Sequence, residues 1–366
     1  MMPTSVSNPW AERQKRLRTL LGARRLPFLL VTSLTNIRYL TGFQGSAGVA
    51  VLGAEDAALW VDPRYTLQAR EQARGVEVIE AKQDLLKALA GWLRQNRVRR
   101  AGYEHTHLTC AEFDQLVRAT SSRVRFEPVE GLVEELRAIK DQEEIAQIRE
   151  AGRVTVKVFE EVVRQARPGV SESDLAAEID YRMRKHGAER AAFGTIVASG
   201  TRGAFPHACA SSKLLAENEL VIFDLGAILG GYAADMARTI YLGQPNRRVR
   251  SFYNAVVEAQ RRAVQAMRAG TRTGDVDAAA RRVLAERGLA PYFTHSTGHG
   301  VGLEIHERPR LARGQKTRLK VGVVATAEPG IYMEGFGGIR IEDTVLVGPG
   351  GPEILTPAPK DHWAMS

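Results

Sequence analysis

The sequence predicts an α/β chain in two parts: a small α/β domain over residues 1–132 and a larger, internally duplicated α+β domain over 133–366. Three observations carry this prediction. Helical patches alternate with short apolar runs over the first part. Near Val133 the texture changes to a long amphipathic pattern. Beyond it, two stretches repeat one another at a fixed spacing.

In the first part the helical patches are Glu12–Leu21, Leu85–Arg94 and Ala111–Ala119, and the apolar runs are PFLLVT, GVAVLG and ALWVD. From Val133 the run VEELRAIKDQEEIAQIREAGRVTVKVFEEVVRQA reads as long amphipathic helix. The repeat follows. ARPGVSESDLAAEIDYRMRKHG (166–187) and MRAGTRTGDVDAAARRVLAERG (267–288) align at a constant offset of 101, which pairs Arg167 with Arg268, Gly169 with Gly270, Asp174 with Asp275 and Gly187 with Gly288. Each copy precedes β-rich sequence with acids in it: Asp224 and Asp235 flank Gly230-Gly231, and Glu328 and Glu342 flank a turn at Gly335–Gly338. Side chains alternate along a strand, so Thr326 and Glu328 share one face, and Arg340, Glu342 and Thr344 share another.

The bulk composition excludes several classes. Of 366 residues, 44% are hydrophobic and 25% charged, ordinary for a globular protein with a real core. There is no apolar stretch of about 18 residues and no signal-peptide pattern, so no membrane partner is expected. Two cysteines, Cys110 and Cys209, make no disulfide framework and fit a cytoplasmic location. A net charge of +9 raises nucleic acid as a partner. The densest basic clusters, 94–100 and 246–251, are short and lack interleaved aromatics, so they read as solvated helix ends and loops.

Four carboxylates facing one centre would repel one another unless cations sat among them. Four carboxylates and one imidazole form the ligand set of a dinuclear site, and so oxygen-rich a set suits Mn²⁺, Co²⁺ or Zn²⁺. The imidazole candidates are His295, His299 and His306, three of the eight histidines, within THSTGHGVGLEIHERP. A fourth, His207, lies in FPHACAS, whereas His105, His107, His186 and His362 read as structural.

The segments FDLGAILGGYAADMART, HSTGHGVGLEIHE, AEPGIYM and GGIRIEDTVLV resemble the pita-bread metallopeptidases, specifically the Xaa-Pro peptidases, aminopeptidase P and prolidase. NIRYLTGFQGSAG and LWVDPRYTLQA are similar to the creatinase-type N-terminal domain, so the resemblance covers nearly the whole chain. It implies that Asp224 chelates one metal ion, that Asp235 and Glu342 contact both, and that His299 and Glu328 complete the other shell. It further implies that Glu328 relays the proton of an attacking water and that His306 stabilises the tetrahedral intermediate. His207 and His295 would contact substrate, with Arg340 and Tyr332 holding ligands and substrate in place.

Two departures from the family pattern stand out. Ala234 and Ala237 flank Asp235 where a Thr or Ser is frequent, and Ala-Cys-Ala follows His207, with Cys209 read as a small buried residue. Methionine aminopeptidase, creatinase and an inactive pita-bread module that binds peptides or proteins are the competing readings; the extra N-terminal domain and five filled ligand positions disfavour them. No local motif separates aminopeptidase P from prolidase, and the compact length favours aminopeptidase P. A homodimer is expected from the N-terminal domain, in which Asn36, Arg38 and Tyr39 serve either a shared site or local structure.

Overall fold

The computed structural model describes residues 8–82, 84–361 and 363–365. The chain divides into two compact units, Met1–Arg137 and Ala138–Ser366. His362 lies outside the described residues.

The first unit is a six-stranded mixed sheet in the order β4-β3-β2-β1-β5-β6. Its strands are β1 Phe28–Val31, β2 Val49–Gly53, β3 Ala57–Val61, β4 Glu77–Glu80, β5 Arg100–Glu104 and β6 Arg125–Val129. The helices are α1 Pro9–Ala23, α2 Leu34–Thr41, α3 Thr66–Gln72, α4 Leu85–Gln95, α5 Cys110–Ala119 and α6 Leu132–Arg137. The apolar runs become β1, β2 and β3 because every second residue can enter a core on each face; Leu30, Val49, Val51, Ala58 and Trp60 join Leu86, Leu89 and Leu93 of α4. Asn36 is fully buried, donates to Glu104 Oε1 (2.6 Å) and Glu134 Oε1 (2.7 Å), and accepts from Arg137 (2.8 Å). Within this unit it serves local structure.

The second unit repeats one plan twice. Helix α7 (Gln142–Val162) starts at an Asp141–Glu144 capping box and buries Ile145, Ile148, Val154, Val158 and Val162 along one stripe. Helix α8 is Glu172–Lys185; α9 (Arg247–Ala266) and α10 (Thr273–Glu286) are the second pair. The aligned glycines before α8 and α10, Gly169 and Gly270, both have φ of +90°, a left-handed turn that disfavours any side chain. The antiparallel bridges Ser171↔Leu214 and Arg272↔Arg318 occupy matching positions.

The strands of the first half are β7 Arg190–Ala191, β8 Ile196–Ser199, β9 Glu219–Leu225, β10 Ala227–Leu229, β11 Tyr232–Ala233 and β12 Met236–Leu242. Those of the second are β13 Gly298–Gly300, β14 Glu307–Leu311, β15 Val324–Ala327, β16 Gly330–Met333, β17 Gly337–Arg340, β18 Asp343–Gly348 and β19 Gly351–Ile354; β20, Ala364–Met365, pairs with β12. The sheets run β20-β12-β9-β8, β11-β10-β7, β14-β13-β15-β18-β19 and β16-β17. Each half has its own core: α7 and α8 pack on β9 and β12, and α9 and α10 pack on β15 and β18.

One expectation about the acidic hairpins needs correction. Glu328 and Glu342 are not inside paired strand. β15 pairs with β18, and the chain then breaks and re-pairs as the separate β16–β17 hairpin. Glu328 and Glu342 occupy the two breaks, Asp235 occupies the matching break between β11 and β12, and Asp224 stands at the end of β9. A break frees the side chain from the flat strand alternation and turns it towards the gap between the sheets.

A candidate metal centre

A cavity of about 860 Å³ opens over these breaks. Its wall includes Asp224, Asp235, His299, Glu328 and Glu342, together with His207, His295, His306, Tyr332 and Arg340. The structure thus brings together every site residue singled out in the sequence. Within the cluster, one ligand atom each from Asp235, His299 and Glu342 lie within 4.8 Å of one another, close enough to hold a metal ion. His299 Nε2 stands 3.6 Å from Asp235 Oδ2 and 3.6 Å from Glu328 Oε1.

The donor set fits divalent cations on two grounds. Asp224 Oδ1, Asp235 Oδ1 and Glu342 Oε1 are buried oxygens without hydrogen-bond partners among the described residues, an arrangement that costs stability unless a cation meets them. The protonation energetics agree. Burial, then the charges of Asp224 and Glu328, drive Asp235 well above the usual carboxylate range despite Arg340. Burial, then the charges of Asp235, Glu328 and Asp224, do this to Glu342, and burial lifts Glu328 to about 8 against the pull of Arg340. Burial lowers His299 to about 4, with His306 adding to the effect, so the imidazole is neutral and able to ligate.

Around the acids runs a chain of hydrogen bonds. Arg340 Nη2 donates to Asp224 Oδ2 (2.5 Å), and Arg340 Nη1 donates to Tyr332 Oη (2.7 Å) and Pro206 O (3.1 Å). Tyr332 Oη lies 2.9 Å from His295 Nε2. Burial raises Tyr332 to about 12, so it stays a donor, and burial lowers His295 to about 4. His306 is exposed, with its ring edge-on to that of His299 at 4.3 Å between centroids. Burial, and the nearby His207, push its pKa down.

Other side chains at the site were not legible beforehand. Phe193, Ile196 and Ile305 supply apolar wall, and the exposed Arg310 supplies a cation at the same cavity. Behind Glu342, the fully buried Arg238 donates to the Glu342 carbonyl and to Asp343 Oδ1 (2.7 Å). Asp235 is held by Thr344 rather than by flanking hydroxyls, so Ala234 and Ala237 leave its backbone satisfied. Cys209 departs from expectation: it is exposed and lines the cavity, because the loop turns Ala208 inward instead. The histidines read as structural behave so where described: His105 meets Val129 O, His107 lies 3.7 Å from Glu134, and His186 bonds Glu161.

A cluster of acids and one imidazole, set at strand breaks and on the strands beside them in a duplicated α+β unit, defines a metal-dependent hydrolase. The chain belongs to metallopeptidase family M24, whose model matches residues 146–349, and residues 13–139 match the creatinase/prolidase N-terminal domain. It is 35% identical to an Xaa-Pro dipeptidase of Pyrococcus horikoshii over 94% of this chain and 97% of that protein. Among solved structures it is similar to an Xaa-Pro dipeptidase from Bacillus anthracis (TM-score 0.94, 38% identity, 97% of this chain and 100% of that one). It is also similar to an X-Pro aminopeptidase from Thermotoga maritima (TM-score 0.88, 34% identity, 96% and 100%). The described helices include none long and apolar enough to cross a membrane.

Proposed function

We propose that the protein is an Xaa-Pro dipeptidase of the prolidase type that works with two divalent ions, Mn²⁺, Co²⁺ or Zn²⁺. Arg310 carries this reading. A dipeptidase must recognise the free carboxylate of the C-terminal proline, and an exposed guanidinium stands in the same cavity as the acidic cluster. The likeness to named dipeptidases supports it further. Compact length, which favoured aminopeptidase P, is shared by relatives of both kinds and carries no weight.

In this reading Asp224, Asp235, His299, Glu328 and Glu342 hold the ions. Divalent ions held there would supply two things, acidification of an attacking water and stabilisation of negative charge at the peptide carbonyl. Glu328 takes up the proton and delivers it to the proline nitrogen. His306 faces the carbonyl oxygen, and His207 and His295 contact the substrate. Arg340 neutralises Asp224 on one side and fixes Tyr332 on the other. Phe193 and Ile196 give the proline ring an apolar wall. We expect a homodimer in a reducing cytoplasm.

Paired hydrolysis assays test the specificity. An Xaa-Pro dipeptide is expected to turn over far faster than the matching Xaa-Pro-Yaa tripeptide, and bound metal is expected near two ions per chain. Preference for the tripeptide would return the reading to aminopeptidase P. A metal-replete protein inert on both substrates would overturn the peptidase reading.

A further inference from the structure

The loop between β8 and β9 closes on one carboxylate. Glu172, the first residue of α8, is fully buried. Its Oε1 accepts from Ser199 N (2.7 Å) and Ser199 Oγ (2.8 Å). Its Oε2 accepts from Arg202 Nε (3.0 Å), Ser211 N (3.1 Å) and Ser211 Oγ (2.7 Å). Ser199 ends β8 and Ser211 begins the return, so both ends of the loop are fixed to one point. Arg202 extends the hold by donating through Nη2 to Cys209 O (2.6 Å). Between the two ends lie Pro206, His207, Ala208, Cys209 and Ala210, all on the cavity wall. The loop's inner edge packs backbone to backbone on β17, where a Cβ at Gly338 would collide with Gly203 O.

The duplicated half acts as an internal control. Glu172 N donates to Lys213 O (3.0 Å) and Ser173 N to Ser211 O (2.9 Å); the matching bonds are Thr273 N to Thr317 O (2.8 Å) and Gly274 N to Gln315 O (3.1 Å). The backbone scaffold is therefore the same in both halves and does not require a carboxylate. The residue matching Glu172 is Thr273, whose buried hydroxyl has no partner among the described residues. Of the two halves, the carboxylate is present in the one whose following loop carries His207. Burial by itself would raise the Glu172 pKa, but the bonds from Ser211, Ser199 and Arg202 outweigh it and hold the carboxyl below its usual range.

We propose that Glu172 is a positioning residue which, from outside the cavity, sets His207 and its neighbours against the substrate. This rests on the cavity being the peptidase site. A glutamine at 172 turns one acceptor into a donor facing donors, so the clamp breaks while the packing volume is kept. In a Cys110→Ala background, Cys209 becomes the single thiol and reports on the loop without any turnover.

Glu172→Gln is expected to raise the rate at which a chromogenic disulfide modifies Cys209 by about threefold or more. It is also expected to raise KM for an Xaa-Pro dipeptide about tenfold, with kcat changed far less and bound metal unchanged. Ser211→Ala, which removes one of the five bonds and adds no donor, should move both readouts the same way by less. Wild-type thiol rates and wild-type KM in a folded Glu172→Gln would overturn the proposal. So would loss of metal in step with kcat. If Glu172→Gln fails to fold, an unmoved Ser211→Ala overturns it equally. If the unsubstituted protein cleaves no Xaa-Pro peptide, the functional reading fails, and the thiol rates alone then decide whether Glu172 anchors the loop.

Discussion

Thr344 and Asp235 bond to each other in both directions across the seam between the two halves. Asp235 N donates to Thr344 Oγ1 (3.0 Å), and Thr344 Oγ1 donates to Asp235 O (2.7 Å). Two bonds along, Thr239 Oγ1 repeats the device on Arg340, accepting from its N–H and donating to its carbonyl, both at 3.0 Å. Each threonine thus serves a strand of the opposite half, and the acids reach the common centre in fixed register. Thr344→Val keeps the shape and leaves two buried backbone groups unpaired. The expected cost is about 2–3 kcal/mol of stability, with weaker metal binding because Asp235 loses its anchor. Calorimetric unfolding and metal titration check it. A valine variant with unchanged melting and affinity would assign the seam's strength elsewhere.

A second buried pair supports the His306 segment. Lys140 Nζ lies 3.1 Å from Glu307 Oε2, with the two side chains 0% and 4% exposed. Glu307 Oε1 also accepts from Glu304 N (3.1 Å), so the carboxylate braces the turn that presents His306. Lys140→Met takes the cation out of this buried pair and is expected to destabilise by about 3–5 kcal/mol. Adding Glu307→Met should restore part of that, because the buried carboxylate is removed together with its cation. Urea unfolding of both variants measures the difference, and a strictly additive double variant would mean that the pair is not coupled.

Much of this was legible in one sequence, for physical reasons. The duplication shows because both copies need the same left-handed glycine before a helix, and Gly169 and Gly270 both have φ of +90°. The acids and histidines show because burying them without a cation is unfavourable, so their presence in β-rich text demands chemistry. What stayed hidden depends on partners far apart in the chain. Nothing near Glu172 predicts that Ser199 and Ser211 converge on it, and nothing near Asp235 points to Thr344. The breaks that separate β15 from β16 and β17 from β18 read as continuous strand in the sequence, because β-branched and apolar composition is the same on either side. The exposure of Cys209 is hidden for a related reason: in an irregular loop, neighbours such as Ala208 and Cys209 differ in burial without any periodicity to reveal it.

Arg310 gives a specificity prediction. A guanidinium on a free carboxylate is a charge-assisted, forked contact. Arg310→Met keeps an unbranched side chain of similar length and removes the charge. KM for an Xaa-Pro dipeptide is expected to rise about 10–100-fold, the range of one such bond. The corresponding Xaa-Pro amide, which has no carboxylate, should be affected little. Equal losses on acid and amide would show that Arg310 acts on the site generally and would remove the support it lends to dipeptidase specificity.

The last prediction concerns pH and the metal-stripped protein. Burial raises Glu328 from an ordinary 4.5 to about 8, and Asp235 and Glu342 are raised well above their usual range. A carboxyl raised on folding keeps its proton where the unfolded chain has already lost it. Its contribution is therefore full below the unfolded value and is lost as pH climbs through the folded one. Buried His295 and His299 have the opposite sign. They fall from 6.5 to about 4, so the unfolded chain takes up protons that the folded chain refuses, and stability is lost as pH drops below 6.5. Above 6.5 these two histidines are neutral in both states, and the carboxyls act alone. The melting temperature of chelator-treated protein is thus expected to fall as pH rises from 6.5 to 8. Saturating Mn²⁺ should abolish the fall, since the ions take the place of the retained protons, and calorimetric titration in buffers of different ionisation enthalpy should register proton release on binding. A melting temperature that rises through this window without metal would mean that the acids are already ionised and compensated by the chain itself, and the case for cations at the strand breaks would lose its electrostatic half.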